Sequence, residues 1–437
     1  METIYAALSP LITSAVIVVR ISGSDALDVL SLLGAEGLED KRVIHTKYSG
    51  SVNDDVLVTY FKGPASYTGE DVVEISFHGN PLIVSSAFAD FEKLGFRGAQ
   101  PGEFTKRAFI NGKIDLTQAE SVAELIDSKT KRGIDYSYSQ LKGSMRKEVE
   151  GIRDIFINIL TVIEAHIDFP EEDIEEAHEN IVFNNLQTLR DSVSEILRSY
   201  TTHKVLRDGY RIAIVGKPNT GKSSLMNYLL KEDRAIVSEV AGTTRDYIES
   251  SFVLDGVPVS LVDTAGMRFT DDAIEKAGIE KTVSLINDAD LVVVLLDNSL
   301  PLNHEDENVL SITEGMDRLL VVNKCDSQNI LDLDNVDCHV SVKHDKNMKV
   351  FLNMCAAKVS LSDADVFGKS VMVTERQKHY FDQILTSVEK LIEYSEIDFD
   401  IFEYELNSSL RLLSEITGLS YTEDVLSNIF DNFCIGK

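Results

Sequence analysis

The sequence predicts a multidomain α/β protein: an N-terminal α+β segment, then helices with an α/β domain inserted among them. Three observations predict it. Apolar strand-like runs alternate with helical stretches from about Tyr210 to about residue 360. Stretches with helical spacing of apolar residues lie on both sides of that region. A glycine-rich octet, Gly216-Lys217-Pro218-Asn219-Thr220-Gly221-Lys222-Ser223, sits between an apolar run, Ile212–Val215, and a helix-compatible run, Ser224–Leu230. Alternation of that kind is the mark of a parallel sheet covered on both faces. The expected divisions are 1–115, 116–205, 206–371 and 372–437, with the second and fourth forming one interrupted helical domain.

In the first division, Ser14–Ile21, Val56–Phe61 and Val72–Phe77 read as strands, separated by turns at Gly63-Pro64, Gly79-Asn80-Pro81 and Pro101-Gly102. Glu74 interrupts an apolar strand, and alternation alone favours a solvent-facing position for it. In the second division, Leu116–Ile126 has helical spacing, with Thr117 and Glu120 as a capping box. Helices follow over Gly151–His166 and about 180–200. In the third, strands are expected at 212–215, 259–262, 291–296 and 319–322. Helices return at Asp382–Ile392 and Phe402–Ile416.

Composition excludes several classes. The chain has 437 residues, 43% of them hydrophobic, enough for ordinary cores. No apolar run spans a bilayer, so no membrane association is expected. The first residues lack the pattern of a secretory signal. The four cysteines (Cys325, Cys338, Cys355, Cys434) show no zinc spacing and fit a reducing cytoplasm. A formal charge of −30 excludes a chain that coats nucleic acid with its whole surface. It leaves room for a local basic patch, such as Lys129 to Lys147, or for a partner that supplies the affinity.

The chemistry follows from four elements in order. The glycine octet is a phosphate-binding loop: its backbone N–H groups surround an anion, Lys222 adds a charge and Ser223 an oxygen for Mg²⁺. Thr243-Thr244 lies where a threonine can complete Mg²⁺ coordination. Asp263-Thr264-Ala265-Gly266 ends a strand and can sense a γ-phosphate. Asn323-Lys324-Cys325-Asp326 ends another; Asp326 can accept from the N1–H and 2-amino group of guanine, which adenine lacks. Ser341-Val342-Lys343 is the candidate for the last base-contacting loop. Together these predict a Ras-like GTPase domain. Met267 cannot orient a water. Asp271, Asp272 and Glu275 lie downstream, and on residues alone they read as hydrated surface. A regulatory or ribosome-assembly GTPase switch without folate chemistry remains the alternative at this point.

Motifs outside the GTPase region narrow this. Ser66–Ile75, Pro101–Phe109, Asn111–Glu120, Leu413–Gly418 and the final Phe433-Cys434-Ile435-Gly436-Lys437 resemble the MnmE (TrmE) family of tRNA wobble-uridine modification GTPases over nearly the whole chain. The resemblance implies an N-terminal tetrahydrofolate-binding and dimerisation domain, a helical domain and an inserted G domain. It implies a cytoplasmic homodimer that assembles with a flavoprotein, MnmG (GidA), as a heterotetramer acting on tRNA. FAD and NADH would be the partner's, and a 5-formyl or 5,10-methylene tetrahydrofolate the one-carbon donor. Folate contacts would be Arg20, Glu74, Lys113 and Lys437, which reverses the solvent-facing reading of Glu74. GTP would contact Asn219, Thr220, Gly221, Lys222, Ser223, Ser224, Ser238, Thr243, Thr244, Asp263, Thr264, Ala265, Gly266, Asn323, Lys324, Asp326 and Ser341. Mg²⁺ would take Ser223 and Thr244; K⁺ would take Asn219, Ser238, Val240 and Thr243. Lys222 and Glu275 would be catalytic, Glu275 supplying what Met267 cannot. Cys434 matches a family cysteine, and a buried free thiol also fits it. The family's glycine-rich turn before Arg20 is absent here, where Ser9–Ser14 holds no glycine.

Overall fold

The computed structural model describes residues 2–35, 37–168, 175–231, 250–263, 286–287, 289–359, 371, 373–394, 398–431 and 433–436. They fall into two compact units: residues 1–123, 140–193 and 379–437 in one, residues 124–139 and 194–378 in the other.

In the first unit, β1 (Ile4–Ala7), β2 (Val16–Ser22), β3 (Val43–Ser49), β4 (Asn53–Phe61), β5 (Val72–His78) and β6 (Arg97–Gly98) form one sheet in the order β3-β4-β5-β2-β1-β6. Neighbours are antiparallel except β1 and β6. Alternation sorts the side chains. Ile17, Val19 and Ile21 of β2, Val56 and Val58 of β4, and Val73, Ile75 and Phe77 of β5 pack with Val84, Ala87 and Phe91 of α1 (Pro81–Lys93). Arg20 and Glu74, in the intervening positions, turn to the opposite face and stand directly across from each other. The Asn80 side chain starts α1 by accepting from Leu82 N, with Pro81 in the first turn.

The glycine-poor segment Ser9–Ser14 finds its close approach elsewhere. Ser14 N donates to Gly79 O, and a Cβ at Gly79 would strike the Ser14 backbone. The glycine that lets this loop seat therefore lies on the partner turn.

The helices α2 (Glu103–Ile110), α3 (Leu116–Asp127), α4 (Lys131–Leu141), α5 (Ser144–Asp168) and α6 (Glu175–Asp208) follow. The start of α3 corrects the expected cap. Asp115, not Thr117, is the capping side chain: its Oδ1 accepts from Gln118 N and from Thr117 Oγ1, while Gln118 Oε1 accepts from Asp115 N. The box lies two residues earlier, where the Asp115 carboxyl oxygen meets the exposed Gln118 N–H. In α5, Met145, Val149, Ile152, Phe156, Ile159 and Ile163 are buried at three- and four-residue spacing, the stripe of an amphipathic helix.

In the second unit, β7 (Tyr210–Val215), β8 (Ser250–Leu254), β9 (Val257–Asp263), β10 (Leu291–Asp297), β11 (Arg318–Asn323) and β12 (Cys338–His339) form a sheet in the order β12-β11-β10-β7-β9-β8. The expected parallel sheet is observed for all pairs except β8 with β9, an antiparallel edge hairpin. Asp255 and Gly256, at φ 50° and 79°, make the turn that reverses the chain there. All seven residues of β10 are buried, and the first six alternate between two cores. Leu291, Val293 and Leu295 join Leu225 of α7 (Lys222–Lys231) and Phe351 of α9 (Met348–Val359). Val292, Val294 and Leu296 join Val309 of α8 (His304–Ile312). The sheet is thus covered on both faces, as a strand apolar throughout requires.

The chain ends in α10 (Glu375–Glu393), α11 (Phe399–Thr417) and α12 (Glu423–Phe430). Phe402, Leu406, Leu413 and Ile416 of α11 are buried, and α11 packs along α5. Cys434 is exposed rather than buried, and no cysteine is in a disulfide. Among the described residues, no helix is long and apolar enough to cross a membrane.

Candidate functional site

The glycine octet joins the end of β7 to the start of α7, so its N–H groups are those a helix leaves unpaired. Two glycines in it answer to geometry. At Gly216, φ 152°, a Cβ would strike Leu295 O of β10; at Gly221, φ 104°, it would strike the Asn323 side-chain amide. Asn219 turns at φ 65° and is exposed. Lys222 folds back over the loop: Nζ donates to Gly216 O at 2.7 Å and Lys217 O at 2.8 Å. That places an ammonium at the mouth of the anion cradle, held by acceptors that a phosphate oxygen can replace. Thr220 is fully buried and donates to Lys217 O at 3.0 Å, so it presents backbone rather than hydroxyl to a ligand. Ser223 and Ser224 are exposed in the first turn of α7.

The base-reading elements converge on the same cleft. Asn323 Nδ2 donates to Thr220 O at 2.8 Å, and Asn323 Oδ1 accepts from Val342 N at 3.2 Å. One side chain therefore ties the phosphate loop to the segment after β12. Asp326 lies 3.4 Å from His344 Nε2, and its carboxyl is held below the ordinary range by a hydrogen bond from Ser341, aided by the charges of His344 and Lys343. It stays ionised, as an acceptor of two guanine donors must. Ser341 is buried, its backbone pairing with Lys346. The resulting cleft, about 1020 Å³, is lined by Asn219, Lys222, Ser223, Asn323, Asp326 and Lys343, among others. Asp263 ends β9 beside Ile214, the strand end next to the phosphate loop.

Ser238, Val240, Thr243, Thr244, Thr264, Ala265, Gly266, Glu275 and Lys437 lie outside the described residues.

The first unit holds the other expected constellation. Arg20 donates to Glu74 Oε1 through Nε at 2.9 Å and Nη2 at 2.7 Å, which leaves Oε2 to accept elsewhere. The guanidinium lies over the rings of Tyr67 and Phe104, at 4.8 and 5.4 Å. Lys113 donates instead to Pro64 O at 2.7 Å, and Asn111 Nδ2 to Thr68 O, so both grip the 63–71 segment that carries Tyr67. Gly436, at φ 100°, packs so closely that a Cβ would strike Ala7 O; the neighbour Ala6 stands opposite Arg20 in the β1–β2 register. Gly436 thus lies against the end of β1, one residue along from the register partner of Arg20.

Several contributors escaped the sequence reading. Tyr67 and Phe104 lie inside Ser66–Ile75 and Pro101–Phe109 but carry no charge to mark them. Asp297, which holds Lys324 Nζ at 2.5 Å, is the acidic residue closing the apolar run of β10, a signal that was available.

Known proteins bear on both units. A family model described as the MnmE helical domain matches residues 116–434, and one described as the GTP-binding protein TrmE N-terminus matches residues 3–113. The tRNA modification GTPase MnmE of Alkaliphilus oremlandii is 38% identical over 443 residues, 96% of each chain. That of Aquifex aeolicus is 37% identical over 452 residues, 100% of each chain. The chain belongs to the MnmE family of tRNA modification GTPases. Its arrangement of an N-terminal domain, helices and a phosphate-loop α/β domain is the one the sequence predicted.

Proposed function

We propose that the chain is the GTP-hydrolysing component of a tRNA wobble-uridine modification enzyme, with GTP in the cleft of the second unit and a tetrahydrofolate in the first. The observation that carries it is the convergence of Lys222, Asn323 and Asp326 on one cleft. Asp326 selects guanine. Lys222 exchanges two loop carbonyls for phosphate oxygens, and the N–H groups ahead of α7 complete the cradle. Mg²⁺ would be held by the exposed hydroxyl of Ser223 and by Thr244, and would supply charge neutralisation at the phosphates. Asn219, Ser238, Val240 and Thr243 would hold K⁺, whose charge does the work of an arginine finger. Glu275 would orient the attacking water.

In the first unit, Arg20, Glu74, Lys113 and Lys437 would hold the folate. Glu74 Oε2 is the acceptor for pterin donors, and Lys113 the cation for a glutamyl carboxylate. The domains are 1–115 (folate and dimerisation), 116–205 with 372–437 (helical) and 206–371 (G domain). The cytoplasmic homodimer would act on tRNA with a flavoprotein partner that brings FAD and NADH.

Two measurements test this. GTP hydrolysis is expected to run faster in K⁺ than in Na⁺, and equal rates refute the K⁺ assignment. Calorimetric titration with 5-formyltetrahydrofolate is expected to release heat that Glu74→Ala abolishes; no heat from the unaltered chain refutes the folate site.

A further inference from the structure

Lys217 occupies a position of the octet at which the phosphate-loop pattern asks nothing of the side chain. Its side chain is nonetheless buried, with Nζ 2.6 Å from Asp306 Oδ2; the two side chains are 7% and 2% exposed. Asp306 is the third residue of α8 and closes a capping box with Asn303, whose N–H also donates to Oδ2. Its Oδ1 is buried and has no hydrogen-bond partner among the described residues. A half-satisfied buried ion pair is a poor stabiliser; an apolar pair of similar volume often does as well. The pair therefore calls for another explanation.

The backbone of Lys217 supplies one. Its carbonyl accepts from Lys222 Nζ at 2.8 Å and from Thr220 Oγ1 at 3.0 Å. Wherever that carbonyl stands, the phosphate-binding ammonium stands too. The ion pair anchors it to α8, which packs on β10, the central strand.

We infer that Lys217 and Asp306 are a positioning pair for GTP hydrolysis: they set the point from which Lys222 meets the phosphates. The inference rests on reading this loop as the GTP site. A displacement of the order of 1 Å in such a group can cost about a hundredfold in rate.

The test is the doubly apolar variant Lys217→Met/Asp306→Leu, with Asp306→Asn and Lys217→Arg beside it, in the full chain. Melting temperature, affinity for a fluorescent GDP analogue, and kcat and KM for GTP are measured. The double variant is expected to melt within a few degrees of the parent yet lose at least tenfold in kcat/KM, mostly in kcat. Lys217→Arg, which keeps the charge pair, is expected to recover most of that loss. Turnover by the double variant within twofold of the parent overturns the inference. If the double variant does not fold, Asp306→Asn, which keeps the capping bonds, decides by the same ratio per folded molecule. A parent chain that hydrolyses no GTP overturns the reading beneath, and the two failures are thus distinct.

Discussion

Asn323→Ala isolates the tie between phosphate and base recognition. Asn323 is 4% exposed, and its amide donates to Thr220 O at 2.8 Å and accepts from Val342 N at 3.2 Å. Truncation leaves a buried carbonyl of the phosphate loop and a partly buried N–H of the base loop unpaired. Each such orphan costs about 1–3 kcal/mol, so the pair costs about 2–6 kcal/mol. The loss divides between the stability of the α/β domain and the nucleotide, because binding must then re-order two loops that are pre-set in the parent. If only half falls on binding, about 1–3 kcal/mol, GDP affinity drops by roughly 5-fold to 140-fold, at about 1.4 kcal/mol per decade. Titration with a fluorescent GDP analogue, alongside thermal melting, reads both shares. Asn323→Asp keeps the acceptor for Val342 N but sets a carboxylate against Thr220 O, so it is expected to harm binding at least as much. Affinity within threefold of the parent for both variants, with unchanged melting, would show that the loops hold their places without Asn323.

Three further outcomes follow from the structure. His203 is buried, accepts from Val373 N at 3.3 Å, and is pushed by burial from 6.5 to about 4. Below pH 6.5 the unfolded chain takes up a proton that the folded one refuses until about 4, so stability is complete above 6.5 and is lost as pH falls through that window, by about 3 kcal/mol in all; the slope should vanish in His203→Phe, measured by denaturant midpoint against pH. Arg107, with 4% of its side chain exposed, pairs Glu70 at 3.0 Å and Glu103 at 2.9 Å, so Arg107→Met leaves Glu70 with the Ser22 hydroxyl at 2.7 Å while Glu103 keeps Arg97 at 2.7 Å, and it is expected to cost about 3 kcal/mol, read by urea denaturation. Gly436→Ala drives a Cβ into Ala7 O and should abolish the heat of folate titration while GDP affinity holds, whereas undiminished heat would separate the chain's end from folate.

What was legible in the sequence is what depends on near neighbours in the chain. The octet is a loop between a strand and a helix because its residue types and spacing dictate that much locally, and the carboxylate of Asp326 is able to accept two guanine donors by its own chemistry. The strands at 212–215, 259–262, 291–296 and 319–322 were legible because apolar runs of that length need two covered faces. The edge strand β8 was not, since it is five residues long, pairs on one side only and sends just Phe252 and Leu254 into the core. The α3 cap was misplaced by two residues because Thr117 and Glu120 satisfy the same pattern as Asp115 and Gln118, and only the geometry of the preceding turn separates them.

The ties that make the elements one site were illegible for a different reason. Lys217 and Asp306 are 89 residues apart, Asn323 and Thr220 are 103 apart, and Arg20 and Glu74 are 54 apart. No local pattern records such pairings; the order of strands in the sheet brings them together. Two elements that reach the octet come from the ends of neighbouring parallel strands, Leu295 O near the end of β10 and Asn323 at the end of β11, and a third, Asp306, comes from α8, the helix that follows β10. Parallel strands put their carboxyl ends at one edge, so residues distant in sequence meet there without their pairing being recorded locally. The octet's freedom at Gly216 and Gly221 is the complement of that crowding, and a single methyl group at either glycine would meet an atom supplied by a different strand. The phosphate loop is thus shaped as much by β10 and β11 as by its own residues, which is why a change at Asn323 or Asp306 is expected to be felt at Lys222.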